Sequence, residues 1–141
     1  MRKIILLSLF VFQLLIAFGQ ENEIVSVFHQ GVCIKKIAFK TSDFDTIIIS
    51  KKEMLTDSLI FDLKNISGIE FFFIKEPLSG IKLYSGTIGS NLKKLIVPLN
   101  ILYKFKGPKK FELYLIKFEF GLKKYKKICE IIIQEDNLRD N

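Results

Sequence analysis

Short β-rich segments, separated by turn residues, follow one another along most of this chain. In one of them, Leu59, Phe61 and Leu63 alternate with Ile60, Asp62 and Lys64, which is the period of a strand with one wet face. Glycine-containing turns such as Gln30-Gly31 and Gly121 separate the segments. The candidate strands cover residues 23–29, 31–40, 45–50, 58–64, 69–75, 81–88, 92–99, 110–120 and 124–134.

This spacing predicts an all-β fold, a single β-sandwich of about seven to nine antiparallel strands over residues 20–134, with a polar tail over 135–141. The outline is immunoglobulin-like, although the chain has no Trp and therefore lacks the Cys…Trp…Cys core of true immunoglobulin domains. The pattern also predicts an edge position for the strand that ends at Pro98, since proline cannot donate to a ladder. The predicted core comprises Ile37, Phe39, Ile48, Phe61, Leu63, Phe71, Phe73, Leu83, Leu95, Leu113, Leu115 and Ile131.

The N-terminus has the pattern of a secretory signal peptide. Arg2 and Lys3 precede an apolar run from Ile4 to Phe18, and Gly19 follows it. The run is 15 residues long, short of the roughly 18 to 20 that a membrane-spanning helix requires. We therefore predict that residues 1–19 are cleaved and that the protein is exported to the periplasm, the cell envelope or the medium.

Two cysteines, Cys33 and Cys129, lie near the two ends of the predicted domain. An oxidising compartment favours a disulfide between them, which would close most of the domain into one loop. The alternative is that both are free thiols packed as small apolar residues. The sequence favours the disulfide only slightly, because nothing in it brings the two residues together.

The formal net charge is +7, and lysine supplies nearly all of the basic residues. Nucleic-acid readers rely on arginine for bidentate contacts, so nucleic acid is not a predicted partner. The lysines concentrate around the last predicted hairpin, where aromatic residues are interleaved with them. They form a candidate anion-binding surface of Lys104, Lys106, Lys109, Lys110, Lys123, Lys124, Lys126 and Lys127. The competing interpretation is that these lysines keep strand edges from pairing with other chains.

No catalytic constellation is evident. His29 is the one histidine, and its place at a predicted strand end beside Gln30 indicates an exposed residue rather than a general base. There is no Gly-x-Ser-x-Gly elbow. Asp43 and Asp45 in one loop resemble part of a calcium site, but they are equally typical of turns. We predict no cofactor, no metal and no enzyme activity.

The sequence thus predicts an exported, non-catalytic module that binds a protein partner or assembles with its own copies at the cell envelope. The motivation is the surplus of apolar strand residues over what one sandwich core needs. The alternative function is a binder of anionic surfaces, lipid headgroups or acidic polysaccharide, through the lysines of the last hairpin. A small hydrolase built on His29 or a carboxylate pair is a remote third alternative.

Overall fold

A computed structural model describes residues 23–39, 44–54, 57–88, 93–107 and 109–135. The predicted leader over 1–19, Asp43 and residues 136–141 of the predicted tail lie outside these ranges. A 3₁₀ turn covers Lys51–Met54. The strands and the helix within the described ranges are Ile24–His29 (β1), Val32–Ala38 (β2), Asp45–Ser50 (β3), Ser58–Asp62 (β4), Ile69–Lys75 (β5), Lys82–Thr87 (β6), Lys94–Pro98 (β7), Leu99–Tyr103 (α1), Lys110–Glu119 (β8) and Leu122–Gln134 (β9).

The strands form two sheets, which confirms the predicted all-β fold with two layers. Sheet I has the order β2-β1-β4-β7, and sheet II has the order β3-β9-β8-β5-β6. One pair departs from the antiparallel prediction, because β3 runs parallel to β9. After the β1–β2 hairpin in sheet I, the chain crosses to an edge of sheet II, where its direction matches that of the last strand.

The core lies between the two sheets, and it confirms most of the predicted core residues. Phe61, Leu113 and Ile131 are completely buried there. Burying side chains of this size is the main driving force for closing the two layers on each other. The other predicted core residues inside this cluster are Ile37, Phe39, Leu63, Leu95 and Leu115, and Leu83 packs partly buried against it.

Two core predictions are wrong, and the reason is the phase of the strand. Ile48 is 62% exposed, while its neighbours Ile47 and Ile49 point into the core. Phe71 is 36% exposed, while Phe72 lies in the core cluster. In both strands apolar residues occupy consecutive positions, so the local pattern does not indicate which face is buried.

The structure confirms the one sheet edge that the sequence predicts. The strand that ends at Pro98 is an edge of sheet I, as predicted. The pairing of β1 with β2 contains a register shift opposite Val27 and Phe28, which leaves Ile34 unpaired and exposed. The helix α1 was not predicted; it follows Pro98 directly and buries Leu99 and Leu102 completely. Within the described ranges, no helix has the length and apolar content needed to cross a membrane.

Candidate functional site

The outer face of sheet II is the most distinctive surface of the described residues. Its inner face is apolar, so every second residue of β5, β8 and β9 points away from the core. On this outer face Phe73 lies opposite Tyr114, and Tyr114 lies opposite Lys127 on the next strand. Phe73 is therefore a predicted core residue that is buried, but among neighbours on the outer face rather than between the sheets.

Aromatic rings form a compact cluster on this face. The rings of Phe73 and Tyr114 stack with their centroids 4.9 Å apart and their planes within 7° of parallel. Tyr125 meets Phe73 edge to face at 6.2 Å. The ammonium of Lys82 lies 4.8 Å from the Phe73 centroid, and that of Lys75 lies 5.0 Å from the Tyr114 centroid. Rings capped by lysines in this way form a flat apolar platform with a positively charged rim.

A shallow cleft of about 370 Å³ opens beside this cluster, between β5 and β6 and the middle of the β8–β9 hairpin. The cleft borders β6, which among the described strands pairs with β5 alone and is an edge strand of sheet II. No carboxylate of a described residue lines it. Its lining includes the rings of Phe71, Phe73 and Tyr125, the hydroxyls of Ser85 and Thr87, and the ammonium groups of Lys82 and Lys123.

A network of ion pairs lies next to the aromatic cluster. Glu112 and Glu130 stand directly opposite each other on β8 and β9, an arrangement that is unfavourable for two like charges. Lys127 resolves it, because its ammonium lies 2.7 Å from Glu112 Oε1 and 2.8 Å from Glu130 Oε1. Lys110 pairs with Glu130 at 2.9 Å, and the Tyr114 hydroxyl donates to Glu112 Oε2 at 3.1 Å.

This network exists because β9 contains a bulge. Residues three apart on a regular strand point to opposite faces, yet Lys127 and Glu130 both point outward. The register shifts between Leu113 and Tyr114, which leaves Ile128 as an extra residue on β9. Both Ile128 and Cys129 are consequently buried, and the outward phase of the strand is reset between Lys127 and Glu130.

The network shifts the pKa values of Glu112, Glu130 and Lys127 in the directions that favour their charged forms. Burial raises the pKa of Glu112, but hydrogen bonds from Lys127 and Tyr114 outweigh it and hold the pKa below its ordinary value. The hydrogen bond from Lys127 is the main reason that the pKa of Glu130 is also lowered. Burial lowers the pKa of Lys127, but the two carboxylates raise it above its ordinary value overall.

The eight lysines of the predicted anion-binding surface are divided between the two ends of the hairpin. Lys127 and Lys110 are held by the carboxylates described above. Lys109 donates to the backbone carbonyls of Tyr103 and Phe105. Near the same end, Lys104 and Lys106 are exposed on the segment after α1. Lys123, Lys124 and Lys126 lie near the opposite end, at the turn of the hairpin.

The turn itself carries an apolar residue that the sequence analysis did not single out. Phe120 is 102% exposed, the largest value among the exposed hydrophobic residues of the described chain, and Leu122 is 68% exposed. Lys124 pairs with Glu119 across the base of this turn. The sequence does contain a signal for this exposure. Phe120 directly precedes Gly121 in a lysine-rich segment, and a two-residue turn leaves its side chains in solvent.

A second exposed apolar surface lies on the outer face of sheet I. Phe28 on β1 stands between Cys33 on β2 and Ile60 on β4, and Ile60 stands opposite Ile96 on β7. These four residues form one row across the sheet. Ile96 is 52% exposed.

The structure does not join the two cysteines. Cys33 is exposed on the outer face of sheet I, where its thiol lies 3.6 Å from the carbonyl of Lys35. Cys129 is completely buried on the inner face of sheet II. Burial raises the pKa of the Cys129 thiol far above its ordinary value, so it is an unreactive apolar residue in this fold. The alternative interpretation, two packed thiols, holds for Cys129 and not for Cys33.

The prediction that His29 is exposed is wrong, because its side chain points into the sandwich and the residue is only 8% exposed. Its Nε2 lies 3.6 Å from Asp57 Oδ2, beyond hydrogen-bond distance. Asp57 Oδ2 instead accepts a hydrogen bond from the Gln30 side chain at 2.6 Å. No serine or cysteine of the described residues is hydrogen-bonded to His29, so the geometry assembles no nucleophile and base there.

Among the described residues, no group of His, Cys, Asp and Glu side chains converges as metal ligands would. Asp45 forms an ion pair with Lys35 at 3.0 Å.

Comparison with models of known protein families and with curated proteins finds no match for this chain. A functional hypothesis for it is therefore built on the geometry of these surfaces.

Proposed function

We propose that this protein is an exported, non-catalytic binding module of the immunoglobulin type, and that it binds a protein partner in the cleft on the outer face of sheet II. The observation that carries the proposal is the cleft itself, in which aromatic rings and lysines lie together beside an edge strand. Export is part of the proposal through the leader predicted over residues 1–19.

The connections between the strands support the immunoglobulin type. In that fold the second and fifth of the seven lettered strands pair in one sheet, and the third, sixth and seventh are neighbours in the other. Here β4 and β7 pair in sheet I, while β5, β8 and β9 are neighbours in sheet II. The chain crosses between the sheets from β4 to β5 and again from β7 to β8, as the Greek-key connections of that fold do.

The composition of the cleft supports an acidic, extended segment as the ligand. Lys82 and Lys123 give the rim a positive charge, and Phe73 and Tyr125 provide flat apolar contact area. Residues 84–87 of β6 carry no charged side chain. An incoming strand can therefore pair with the free edge of β6 while its alternate side chains enter the cleft.

The test is a selection of random displayed peptides on the purified protein, followed by binding measurements on the enriched sequences. We expect acidic residues that alternate with apolar ones. The variant Lys82→Glu should weaken the binding about tenfold because it reverses the charge of the rim. The matched control Lys94→Glu lies on the outer face of sheet I and should leave the affinity unchanged.

Nuclear magnetic resonance shifts on titration with the best peptide should concentrate on β5 and β6. Shifts confined to sheet I, or equal binding by Lys82→Glu and Lys94→Glu, would overturn the assignment of the cleft. Light scattering after size-exclusion chromatography determines whether the partner is a second copy of this chain. In that case Lys82→Glu should shift the dimer towards monomer, and Lys94→Glu should not.

A further inference from the structure

We infer that the turn of the β8–β9 hairpin docks the protein on an anionic lipid bilayer, with Phe120 and Leu122 entering the interfacial layer. These two are the most exposed large apolar side chains of the hairpin, at 102% and 68%. They lie past the last pairing of β5 with β8, at Lys117, so the turn projects beyond its neighbouring strand. The inference does not depend on the cleft.

The backbone of the turn shows that its geometry does not require an aromatic residue. Phe120 has a φ of 50° and Gly121 a φ of 76°, the left-handed pair typical of a two-residue hairpin. The β1–β2 hairpin has nearly the same turn, with a φ of 50° at Gln30 and 77° at Gly31. The first position there is a polar residue. A bulky ring in this backbone region is strained, and strain of this kind concentrates at functional positions.

Packing does not explain Phe120 either. A side chain that is 102% exposed forms no apolar contact in the described structure that would compensate for its hydration. Leu78 in the β5–β6 turn is also largely exposed, at 82%, but its turn is held by Glu76, whose carboxylate accepts hydrogen bonds from the Leu78 and Ser79 amides. The Phe120 turn combines exposure with backbone strain, which Leu78 does not.

The charges behind the turn match a lipid surface. Residues 118–126, nearest the turn, contain three lysines and one glutamate, a net charge of +2. Lys123 lies on the outer face beside Phe118, and Lys124 lies on the opposite face beside Glu119. At about 3.3 Å per residue, the lysines at positions 123, 124 and 126 stand one to four residues behind Leu122, at the depth of the headgroups when the two apolar side chains enter the interface. Tyr125, 59% exposed, is of the type enriched at that depth.

This arrangement favours a bilayer over a soluble polyanion. An acidic polysaccharide would be bound by the lysines alone, and it would leave Phe120 and Leu122 in water. A bilayer accommodates both parts, since apolar insertion and attraction of lysine to anionic headgroups act together. The lysines on both faces of a narrow hairpin also suit a surface that surrounds the turn on all sides.

The first experiment measures sedimentation of the purified protein with vesicles, after mass spectrometry has identified its N-terminus. We expect binding to phosphatidylcholine vesicles that contain phosphatidylglycerol, and about tenfold weaker binding to phosphatidylcholine alone. Phe120→Asn keeps a left-handed turn and should reduce the binding about tenfold. The matched control Leu78→Asn, on another exposed turn, should bind like the natural protein.

Equal binding by Phe120→Asn and the natural protein would overturn the inference. So would equal binding to vesicles with and without phosphatidylglycerol. Heparin serves as a soluble polyanion, and binding to heparin that exceeds binding to the anionic vesicles would show a polysaccharide site instead. The cleft variant Lys82→Glu should leave vesicle binding within about twofold, which distinguishes failure of this inference from failure of the proposed function.

The second experiment uses the absence of tryptophan from the chain. In Phe120→Trp the only indole is at the apex of the turn, and it reports its surroundings directly. Anionic vesicles should shift its emission to the blue, and lipids brominated near the headgroup should quench it. An emission spectrum that stays unchanged while the protein sediments with the vesicles would show that the apex does not enter the bilayer.

Discussion

Lys127 illustrates how a single residue stabilises an otherwise unfavourable strand pair. Glu112 and Glu130 face each other on β8 and β9 with side chains only 12% and 11% exposed. Lys127 contacts both carboxylates and also lies 3.5 Å from the Phe44 ring centroid. The sequence predicts that this lysine belongs to an anion-binding surface, but in the fold its charge is already neutralised by two partners.

Replacing Lys127 by Met should lower the free energy of unfolding by about 1–3 kcal/mol, because it leaves two half-buried carboxylates opposite each other. Urea denaturation followed by circular dichroism measures the change. The matched control is Lys124→Met, which removes a solvent-exposed ion pair to Glu119 and should cost about 0.5 kcal/mol or less. Equal losses in the two variants would contradict this account of the network.

The same residues predict how stability depends on pH. The pKa values of Glu112 and Glu130 are lowered in the folded protein, so the unfolded chain binds more protons in acid. The network's contribution should be complete above pH 4.5, the ordinary value, and should disappear as the pH falls through the lowered values. Because the pKa of Lys127 is raised from 10.5, the contribution should persist in mild alkali and decline only above that value.

Urea denaturation over a range of pH tests this dependence directly. The difference in unfolding free energy between the natural protein and Lys127→Met should be constant near neutral pH and shrink below pH 4.5, where the carboxylates lose their charge. The difference between the natural protein and Lys124→Met serves as the reference for general acid effects. A difference for Lys127→Met that grows as the pH falls would have the wrong sign for this mechanism.

Phe120 is the second position at which one residue departs from what its local structure favours. Asn tolerates the left-handed region, and Asn-Gly is the preferred pair for this turn. Phe120→Asn should therefore raise the free energy of unfolding by about 0.5–1 kcal/mol, measured by urea denaturation, since the ring has no packing to lose. Phe120→Leu keeps the strain and should leave stability unchanged. A less stable Phe120→Asn would indicate packing of the ring within the protein.

At the scale of the element, β3 shows why strands were easier to locate than to orient. Its bounds, Asp45–Ser50, agree with the predicted segment of residues 45–50. Three consecutive isoleucines occupy its centre, so the sequence satisfies either phase equally well. The pairing with β9, in which Ile47 stands opposite Ile131, fixes the face that is buried.

This assignment predicts opposite outcomes for two neighbouring, chemically identical substitutions. Ile47→Ala should cost about 2–5 kcal/mol of unfolding free energy, because it leaves a cavity between the sheets. Ile48→Ala should cost about 0.5–1 kcal/mol, because its side chain is mostly in water. Thermal or urea denaturation of the two variants measures both losses. A larger loss for Ile48→Ala would reverse the phase of the strand.

The bulge in β9 also shows that strand pairing decides which side chains are buried. The candidate strand over residues 124–134 was predicted almost to its bounds, yet simple alternation assigns Lys127 and Glu130 to opposite faces. Ile128 and Cys129 are both inward because the register shifts opposite Leu113 and Tyr114. A bulge depends on the partner strand, so a pattern read along one strand does not reveal it.

At the scale of the molecule, the two sheets decide the state of the cysteines. Cys33 faces outward from sheet I, and Cys129 faces inward from sheet II. Their separation along the chain gave no information about these directions, whereas a disulfide requires the two β-carbons to approach closely. The thiols of this fold therefore differ in accessibility rather than in pairing.

Labelling with a thiol reagent such as iodoacetamide tests this difference. In the native protein one label should attach, at Cys33, and a second should attach at Cys129 only after unfolding in denaturant. Mass spectrometry of the labelled protein counts the additions, and Cys33→Ser should remove the native label. A protein that accepts no label until it is reduced would contain the disulfide after all.

The sequence by itself determined which segments are strands, where the chain turns, and that the described residues form an all-β protein, because these depend on alternation and on turn residues within a few positions. Tertiary structure alone decided that Ile47 rather than Ile48 is buried, that Lys127 is held between two carboxylates, and that Cys33 and Cys129 lie apart. The physical reason is that faces, registers and bulges are set by pairing between strands far apart in the chain, where the contacts that stabilise one phase over the other are made.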